Sequence, residues 1–78
     1  MIRARTQRLV EARVKAGFSQ RAFARFVGVS SGYMSQIELG RRNVSPAVAK
    51  RICEALGVGF DELFELDVED RSTARDSA

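Results

Sequence analysis

Residues suited to chemistry are concentrated in one stretch of this 78-residue sequence, SSGYMSQIELGRRN at positions 30 to 43. Its serines and its glutamine donate and accept hydrogen bonds without net charge, which is the chemistry that distinguishes base edges in the major groove of DNA. Arg41 and Arg42 follow directly, and guanidinium groups bind phosphate oxygens. The stretch therefore indicates binding to a phosphate-bearing partner that also offers hydrogen-bonding edges.

Residue types that support catalysis are scarce. Histidine is absent and the single cysteine is Cys53, which excludes an internal disulfide, a Cys/His zinc site and a Ser–His or Cys–His nucleophile. Cys53 falls on the apolar side of a predicted helix, which favours a packing thiol over a redox group. Asp61, Glu62 and Glu65 fall in a short acidic helix and favour solvation over acid–base chemistry. We predict a protein that is not an enzyme and has no metal or cofactor.

Charge is distributed unevenly along the chain. Residues 1 to 51 hold eleven Lys or Arg against two acids, a net charge of +9, whereas residues 52 to 78 have a net charge of −6. A positive region of this size attracts polyanions such as DNA, although a solvated helix surface also uses Arg and Lys. No apolar run approaches the roughly 20 residues that span a bilayer, and the N-terminus lacks the apolar stretch of a signal peptide. We therefore expect a cytoplasmic protein without membrane contact.

Helical spacing and cap residues predict an all-α domain over residues 1 to 66. Serines precede three helices as N-caps, glycines end four of them, and Pro46 takes a first helical position. No segment alternates with period two, so strands are not expected. Residues 67 to 78 are charged or small and predict an acidic, polar, flexible tail. The helices run from about residue 3 to 16, from Ser19 to Gly28, from Ser30 to Gly40, from Ser45 to Gly57, and from about residue 60 to 66.

The second and third helices carry a helix-turn-helix spacing. Counted from Gln20, Ala24 is fifth and Gly28 is ninth. A small fifth residue lets two helices cross closely, and a ninth glycine permits a turn with positive φ. The apolar residues that fill the crossing are Phe23, Val27, Val29, Met34 and Ile37. The joint pattern within eighteen residues predicts a helix-turn-helix.

The third helix has one apolar and one uncharged side. At about 100° per residue, Tyr33, Met34 and Ile37 share the inner side. The outer side carries Ser31, Gly32, Ser35, Gln36 and Leu39. Small uncharged side chains suit close contact with base edges, and the residues just beyond the helix, Arg41, Arg42 and Asn43, are placed to hold phosphates.

The run GFSQRAFARFVGVSSGYMSQIELGRRNVSP, followed by AKRICEALGVGFDELFE, resembles the Cro/cI-type, or Xre-like, helix-turn-helix family over residues 3 to 66. The family includes phage Cro-like repressors and controller proteins of restriction-modification systems. The resemblance implies a compact five-helix bundle, the lambda-repressor-like DNA-binding domain. It also implies that the third helix enters the major groove and that a homodimer binds an operator to set transcription.

The resemblance assigns roles to matching positions. Gln20 matches a residue that binds phosphate and supports the base-contacting side chains, and Arg13 and Glu38 match an internal ion pair between helices 1 and 3. Ser31, Gly32 and Gln36 match base-reading positions, and Arg41 and Asn43 match phosphate contacts. Gly32 departs from the family, where a longer polar side chain is frequent. This departure shifts readout toward Gln36, Ser31 and Ser35 and leaves Gly32 a role in close approach or a backbone contact.

Several assignments keep alternatives at this level. Tyr33 is a DNA contact at the groove edge or a core residue with its hydroxyl in water. Arg21 and Arg25 contact the DNA backbone or only increase solubility. The predicted base contacts are Ser31, Gly32, Ser35 and Gln36; the predicted backbone contacts are Gln20, Arg21, Ser30, Tyr33, Arg41, Arg42 and Asn43. Ala24 and Gly28 are predicted to be structural, together with Arg13 and Glu38.

A single recognition helix covers too few base pairs to select one site in a genome, so we predict a homodimer on a palindromic operator. Phe60, Leu63, Phe64 and Leu66 are the predicted interface, although Phe60 and Phe64 could instead close the bundle. The predicted function is sequence-specific regulation of transcription, most simply repression, with a contact to RNA polymerase or a small protein partner left open. The alternatives are an antitoxin that represses its own promoter and an architectural protein that binds DNA through charge alone.

Overall fold

The computed structural model describes residues 1 to 66, in which five helices and two short strands follow one another. The tail predicted for residues 67 to 78 lies outside the described residues. In chain order the elements are β1 Ile2–Ala4, α1 Thr6–Lys15, α2 Gln20–Val27, α3 Ser31–Glu38, α4 Pro46–Leu56, α5 Phe60–Leu63 and β2 Phe64–Leu66.

Three of the helices begin at serine caps, which confirms the cap predictions. The Oγ atoms of Ser19, Ser30 and Ser45 accept hydrogen bonds from backbone N–H groups three residues later, at 3.1, 3.0 and 3.2 Å. Each cap satisfies an N–H that the helix itself leaves without a partner, and is worth about 1 kcal/mol. The local sequence therefore sets where α2, α3 and α4 start.

The two strands correct the prediction that the domain lacks strands. β1 and β2 pair antiparallel, with Ile2 opposite Leu66 and Ala4 opposite Phe64. On the other side of β1, the N–H of Val44 donates to the carbonyl of Ile2 at 2.9 Å. The first strand of the chain thus joins the loop after α3 to the end of the described chain.

These strands also change two predicted helix boundaries. α1 begins at Thr6 instead of near residue 3, and α5 ends at Leu63 instead of residue 66. Three residues are too few for an alternating pattern to be recognised, and the pairing joins distant parts of the sequence. Local periodicity alone therefore predicts α1 and α5 to extend over the residues that form β1 and β2.

The core lies where the helices meet. α3 packs against α1 and α2, while α4 packs against α2 and α5. The largest fully buried side chains are Phe23, Phe64, Leu9, Met34, Ile37, Ile52 and Leu63. Among residues 1 to 66, no helix is both long and apolar enough to cross a membrane.

Two large hydrophobic residues on the helices are exposed. Val14 on α1 is 59% exposed and Phe26 on α2 is 65% exposed. The buried arc of α2 is formed by Phe23, Ala24 and Val27, and at about 100° per residue Phe26 falls beyond its edge. Phe26 is covered in part by the ring of Phe18, whose centroid lies 5.3 Å away.

Candidate nucleic-acid interface

A tight turn joins α2 to α3. Gly28 follows α2 with φ of 92°, in the left-handed region that glycine adopts at little cost. Its N–H and that of Val29 both donate to the carbonyl of Ala24 at 2.9 Å. Ser30 then caps α3, so the hydroxyl oxygen of this predicted DNA-backbone contact also fixes the start of the helix. The turn sets the crossing of the two helices.

Small and apolar residues fill that crossing. Ala24 is 1% exposed, and Val27, Met34 and Ile37 are buried beside it. Because Ala24 has a single methyl group as its side chain, the helix backbones approach closely at this point. α3 is thereby held with one side in the core and the other in solvent.

The outer side of α3 carries no charged side chain. Ser31, Gly32 and Gln36 are exposed and Ser35 is half-buried. Glu38 is the one charged residue of α3, and it points inward. Leu39, directly after the helix, is 57% exposed on the same side. The sequence pattern places Leu39 on this side but assigns it no role. Its helical spacing from Ser31 and Ser35 is the sequence feature that could have included it in the predicted DNA-facing surface.

Gly32 leaves open space on this surface. Apart from the adjacent residues and the backbone of its own helix, no atom lies within 4 Å of the position that a Cβ atom would occupy. A glycine within a helix lowers stability by about 1 kcal/mol relative to alanine. Packing within the protomer does not require a glycine at this position. The first turn of α3 therefore offers bare backbone to solvent.

A buried ion pair fixes the inner side of α3. The Nε atom of Arg13 donates to Oε2 of Glu38 at 2.7 Å, and the two side chains are 12% and 5% exposed. Arg13 also donates from Nη1 to the carbonyl of Phe18 at 2.8 Å. Gln20 donates from Nε2 to Oε1 of Glu38 at 3.0 Å. This network joins α1, the loop before α2, the start of α2 and the end of α3.

Gln20 keeps capacity for a second contact. Its Nε2 carries two N–H donors, and one of them points at Glu38. For the other, the resemblance implies a phosphate as partner. The contact with Glu38 also holds the side chain at the start of α2, beside α3.

Arginines border the outer side of α3 at both ends. Arg21 and Arg25 are exposed on α2 and line a shallow depression together with Ser31, near the start of α3. Arg41 and Arg42 are exposed just after its end. Positively charged side chains thus flank the uncharged outer side of α3.

Tyr33 lies between the core and the surface of the protomer. Its side chain is half-buried and packs against the core. The guanidinium carbon of Arg42 lies 5.2 Å from the centre of its ring, within the range of a cation–π contact. Tyr33 therefore supports Arg42 at the edge of the interface.

Asn43 is exposed, and its Nδ2 lies 3.2 Å from the sulfur of Met1.

The predicted dimer residues divide into buried and exposed. Leu63 and Phe64 are 1% and 0% exposed and pack inside the protomer, so neither offers a surface to a partner. Phe60 is half-buried with its ring centre 5.4 Å from that of Phe64. Leu66 is 53% exposed at the end of β2. Of the four predicted interface residues, Leu66 and part of Phe60 remain exposed to a partner.

No group of three metal-ligating side chains occurs within residues 1 to 66. Cys53 is half-buried on α4. Its burial, and secondarily the charge of Glu54, raise the pKa of the thiol. A raised pKa keeps the thiol protonated at neutral pH, which is unfavourable for nucleophilic chemistry.

Two helices crossing at a tight turn, the second with an uncharged outer side between arginines, define a helix-turn-helix DNA-binding unit. Residues 9 to 63 match the helix-turn-helix family. Control protein C.MunI of a Mycoplasma species is 40% identical over 55 residues, 70% of this chain and 73% of the relative. A propionyl-CoA carboxylase regulator of Cereibacter sphaeroides is 36% identical over 62 residues, 80% of this chain but only 13% of that relative's length.

Solved structures agree with this match. The restriction-modification controller protein C.AhdI from Aeromonas hydrophila superposes with a TM-score of 0.66 and 35% identity, over 73% of this chain and 83% of that one. The clp gene regulator ClgR from C. glutamicum superposes with a TM-score of 0.63 and 34% identity, over 72% and 73%. The chain belongs to the helix-turn-helix family of DNA-binding transcriptional regulators, of the Cro/cI type. The predicted family and five-helix fold are confirmed.

Proposed function

We propose that this protein is a sequence-specific regulator of transcription that binds a palindromic operator as a homodimer, with α3 in the major groove. The observation that carries the proposal is the uncharged outer side of α3 between two arginine pairs. Neutral hydrogen-bonding groups read base edges, and flanking cations hold the phosphates on either side of the groove.

Base readout is assigned to the outer side of α3. Gln36 has an amide that can pair with adenine through two hydrogen bonds, worth about 1–3 kcal/mol of discrimination. Ser31 and Ser35 donate or accept single hydrogen bonds. Gly32 contributes no side chain and allows the backbone of the first turn to approach the DNA.

Phosphate contacts are assigned to both borders of this surface. Arg21, Ser30 and Gln20 lie at the α2 border, and Gln20 is oriented by Glu38. Arg41, Arg42 and Asn43 lie at the other border, where Tyr33 supports Arg42. Such contacts fix the register of the protein on the duplex but carry no sequence information themselves.

Occupancy of the operator is the proposed mechanism. A homodimer presents two copies of α3 to half-sites about one helical turn apart, which doubles the number of base pairs read. Bound across a promoter, it blocks RNA polymerase and represses transcription. The names of C.MunI and C.AhdI describe control functions of those proteins, and a comparable role in gene control is proposed for this chain.

The test is selection of bound DNA from a random-sequence pool. The expected result is an inverted repeat, and Ser31→Ala and Gln36→Ala are expected to weaken binding or change the preferred bases. Gln7→Ala, an exposed glutamine on α1, is the matched control and should behave as the wild type. A pool that shows no preferred sequence would instead support binding through charge alone.

Salt dependence separates the phosphate contacts from base readout. The logarithm of the binding constant falls with the logarithm of salt concentration by about 0.9 for each phosphate neutralised. Arg42→Ala should reduce this slope by about one for each protomer and weaken binding to all sequences alike. Arg51→Ala, an exposed arginine on α4 beside Phe26, should leave the slope unchanged. Equal slopes for all three proteins would contradict the assignment of Arg42.

A further inference from the structure

Leu39 continues the row of residues on the outer side of α3. Ser31, Ser35 and Leu39 are spaced by four, which aligns them along one side of a helix, and the backbone of Leu39 is still helical, with φ of −88° and ψ of −4°. A helical side chain leans toward the preceding turn, here toward Ser35. Leu39 therefore adds an apolar group to the proposed DNA-facing surface.

Exposure alone assigns no role to a leucine, because single apolar side chains are common on protein surfaces. What distinguishes Leu39 is its setting. The other exposed large hydrophobic residues of the described chain lie outside the α3 surface; they are Met1, Val14, Phe26 and Leu66. Leu39 instead lies between the readout serines and Arg41, where a duplex bound by α3 would cover it.

A leucine in the major groove has one suitable partner on a base pair. Most groups on the base edges are hydrogen-bond donors and acceptors, and covering one with an apolar side chain leaves it without a partner, which is costly. The 5-methyl group of thymine is the apolar group that the groove presents. We propose that Leu39 contacts a thymine 5-methyl group in each half-site and adds specificity for that base. This proposal rests on the proposed binding of DNA through α3.

The test removes the methyl group from the DNA and the side chain from the protein. Each thymine of the selected half-site is replaced in turn by deoxyuridine, which keeps base pairing and lacks the methyl group. When the contacted thymine is replaced in one half-site, wild-type affinity is expected to fall about fourfold, the effect of burying one methyl group. Leu39→Ala should bind the unmodified site more weakly and should not respond to deoxyuridine at that thymine.

Two further variants control for indirect effects. Leu39→Met keeps an apolar side chain of similar size and should still respond to the methyl group. Val14→Ala changes an equally exposed residue on α1 and should match the wild type in affinity and response. Circular dichroism verifies that each variant is folded before its affinity is measured by fluorescence anisotropy.

The outcomes distinguish this inference from the function on which it rests. A preferred DNA sequence whose binding is unaffected by every deoxyuridine overturns the role of Leu39 alone. Equal responses of the wild type and Leu39→Ala overturn it as well. A random pool without any preferred sequence overturns the sequence-specific function and this inference together.

Discussion

Gly32 is expected to lower the stability of the free protein and to favour binding in the proposed complex with DNA. Beyond the adjacent residues and the backbone of its own helix, a Cβ atom would meet nothing within 4 Å, and φ is not positive at this position. Gly32→Ala should therefore stabilise the free protein by about 0.5–1 kcal/mol, measured by urea denaturation. It should also weaken operator binding, because the added methyl group keeps the backbone of α3 away from the DNA.

Ala47 offers a matched control for this prediction. It is the second residue of α4, as Gly32 is of α3, and it is exposed. Ala47→Gly should lose about what Gly32→Ala gains in stability, without any change in DNA affinity. If Gly32→Ala bound the operator as tightly as the wild type, close approach of the backbone at this turn would be ruled out.

Glu38 supports the interface from inside. Glu38→Ala leaves Arg13 largely buried without its carboxylate partner, and removing one member of a buried pair costs about 3 kcal/mol or more. Glu65→Ala breaks an exposed pair with Arg5 at 3.5 Å, which is worth about 0–1 kcal/mol. Thermal or urea denaturation of both variants compares the two costs, and similar losses would contradict the structural role assigned to Glu38.

At the scale of elements, Ser30 and Ser45 provide a comparison between two helix caps. Both hydroxyls accept a hydrogen bond from an N–H three residues later, so Ser30→Ala and Ser45→Ala should each lower the free energy of unfolding by about 1 kcal/mol. Only Ser30 precedes the helix proposed to enter the groove. Anisotropy titrations should therefore show weaker DNA binding for Ser30→Ala alone. Equal affinities of the two variants would restrict Ser30 to its capping role.

The elements also show how far the sequence could predict the structure. Caps such as Ser30 and the left-handed turn at Gly28 depend on neighbouring residues, so local sequence predicts them. The strand pair depends on contacts between distant parts of the chain, which no local pattern contains. The site divides in the same way. The uncharged side of α3 follows from helical spacing, so the sequence predicts it. The hydrogen bond from Gln20 to Glu38 and the position of Arg42 over Tyr33 require the folded structure.

At the scale of the whole molecule, the proposed homodimer would set how the two basic surfaces meet DNA. Burial of Leu63 and Phe64 within the protomer leaves Leu66, at the end of β2, as the most exposed of the predicted interface residues. A twofold axis brings the same patch of both copies together, so a single change acts twice. Changes at Leu66 should therefore affect assembly far more than the fold of the protomer.

Leu66→Lys tests that expectation. Two added charges would face each other at the proposed interface, so sedimentation velocity should show a monomer under conditions in which the wild type is a dimer. Because Leu66 is 53% exposed, the protomer should keep its helical circular dichroism. The monomer should bind a single half-site as the wild-type protomer does, but lose most of the advantage of the complete palindrome, since joining two binding modules multiplies affinity by about 10²–10⁴. Val14→Lys, equally exposed on α1, should remain dimeric, and a dimeric Leu66→Lys would move the interface elsewhere.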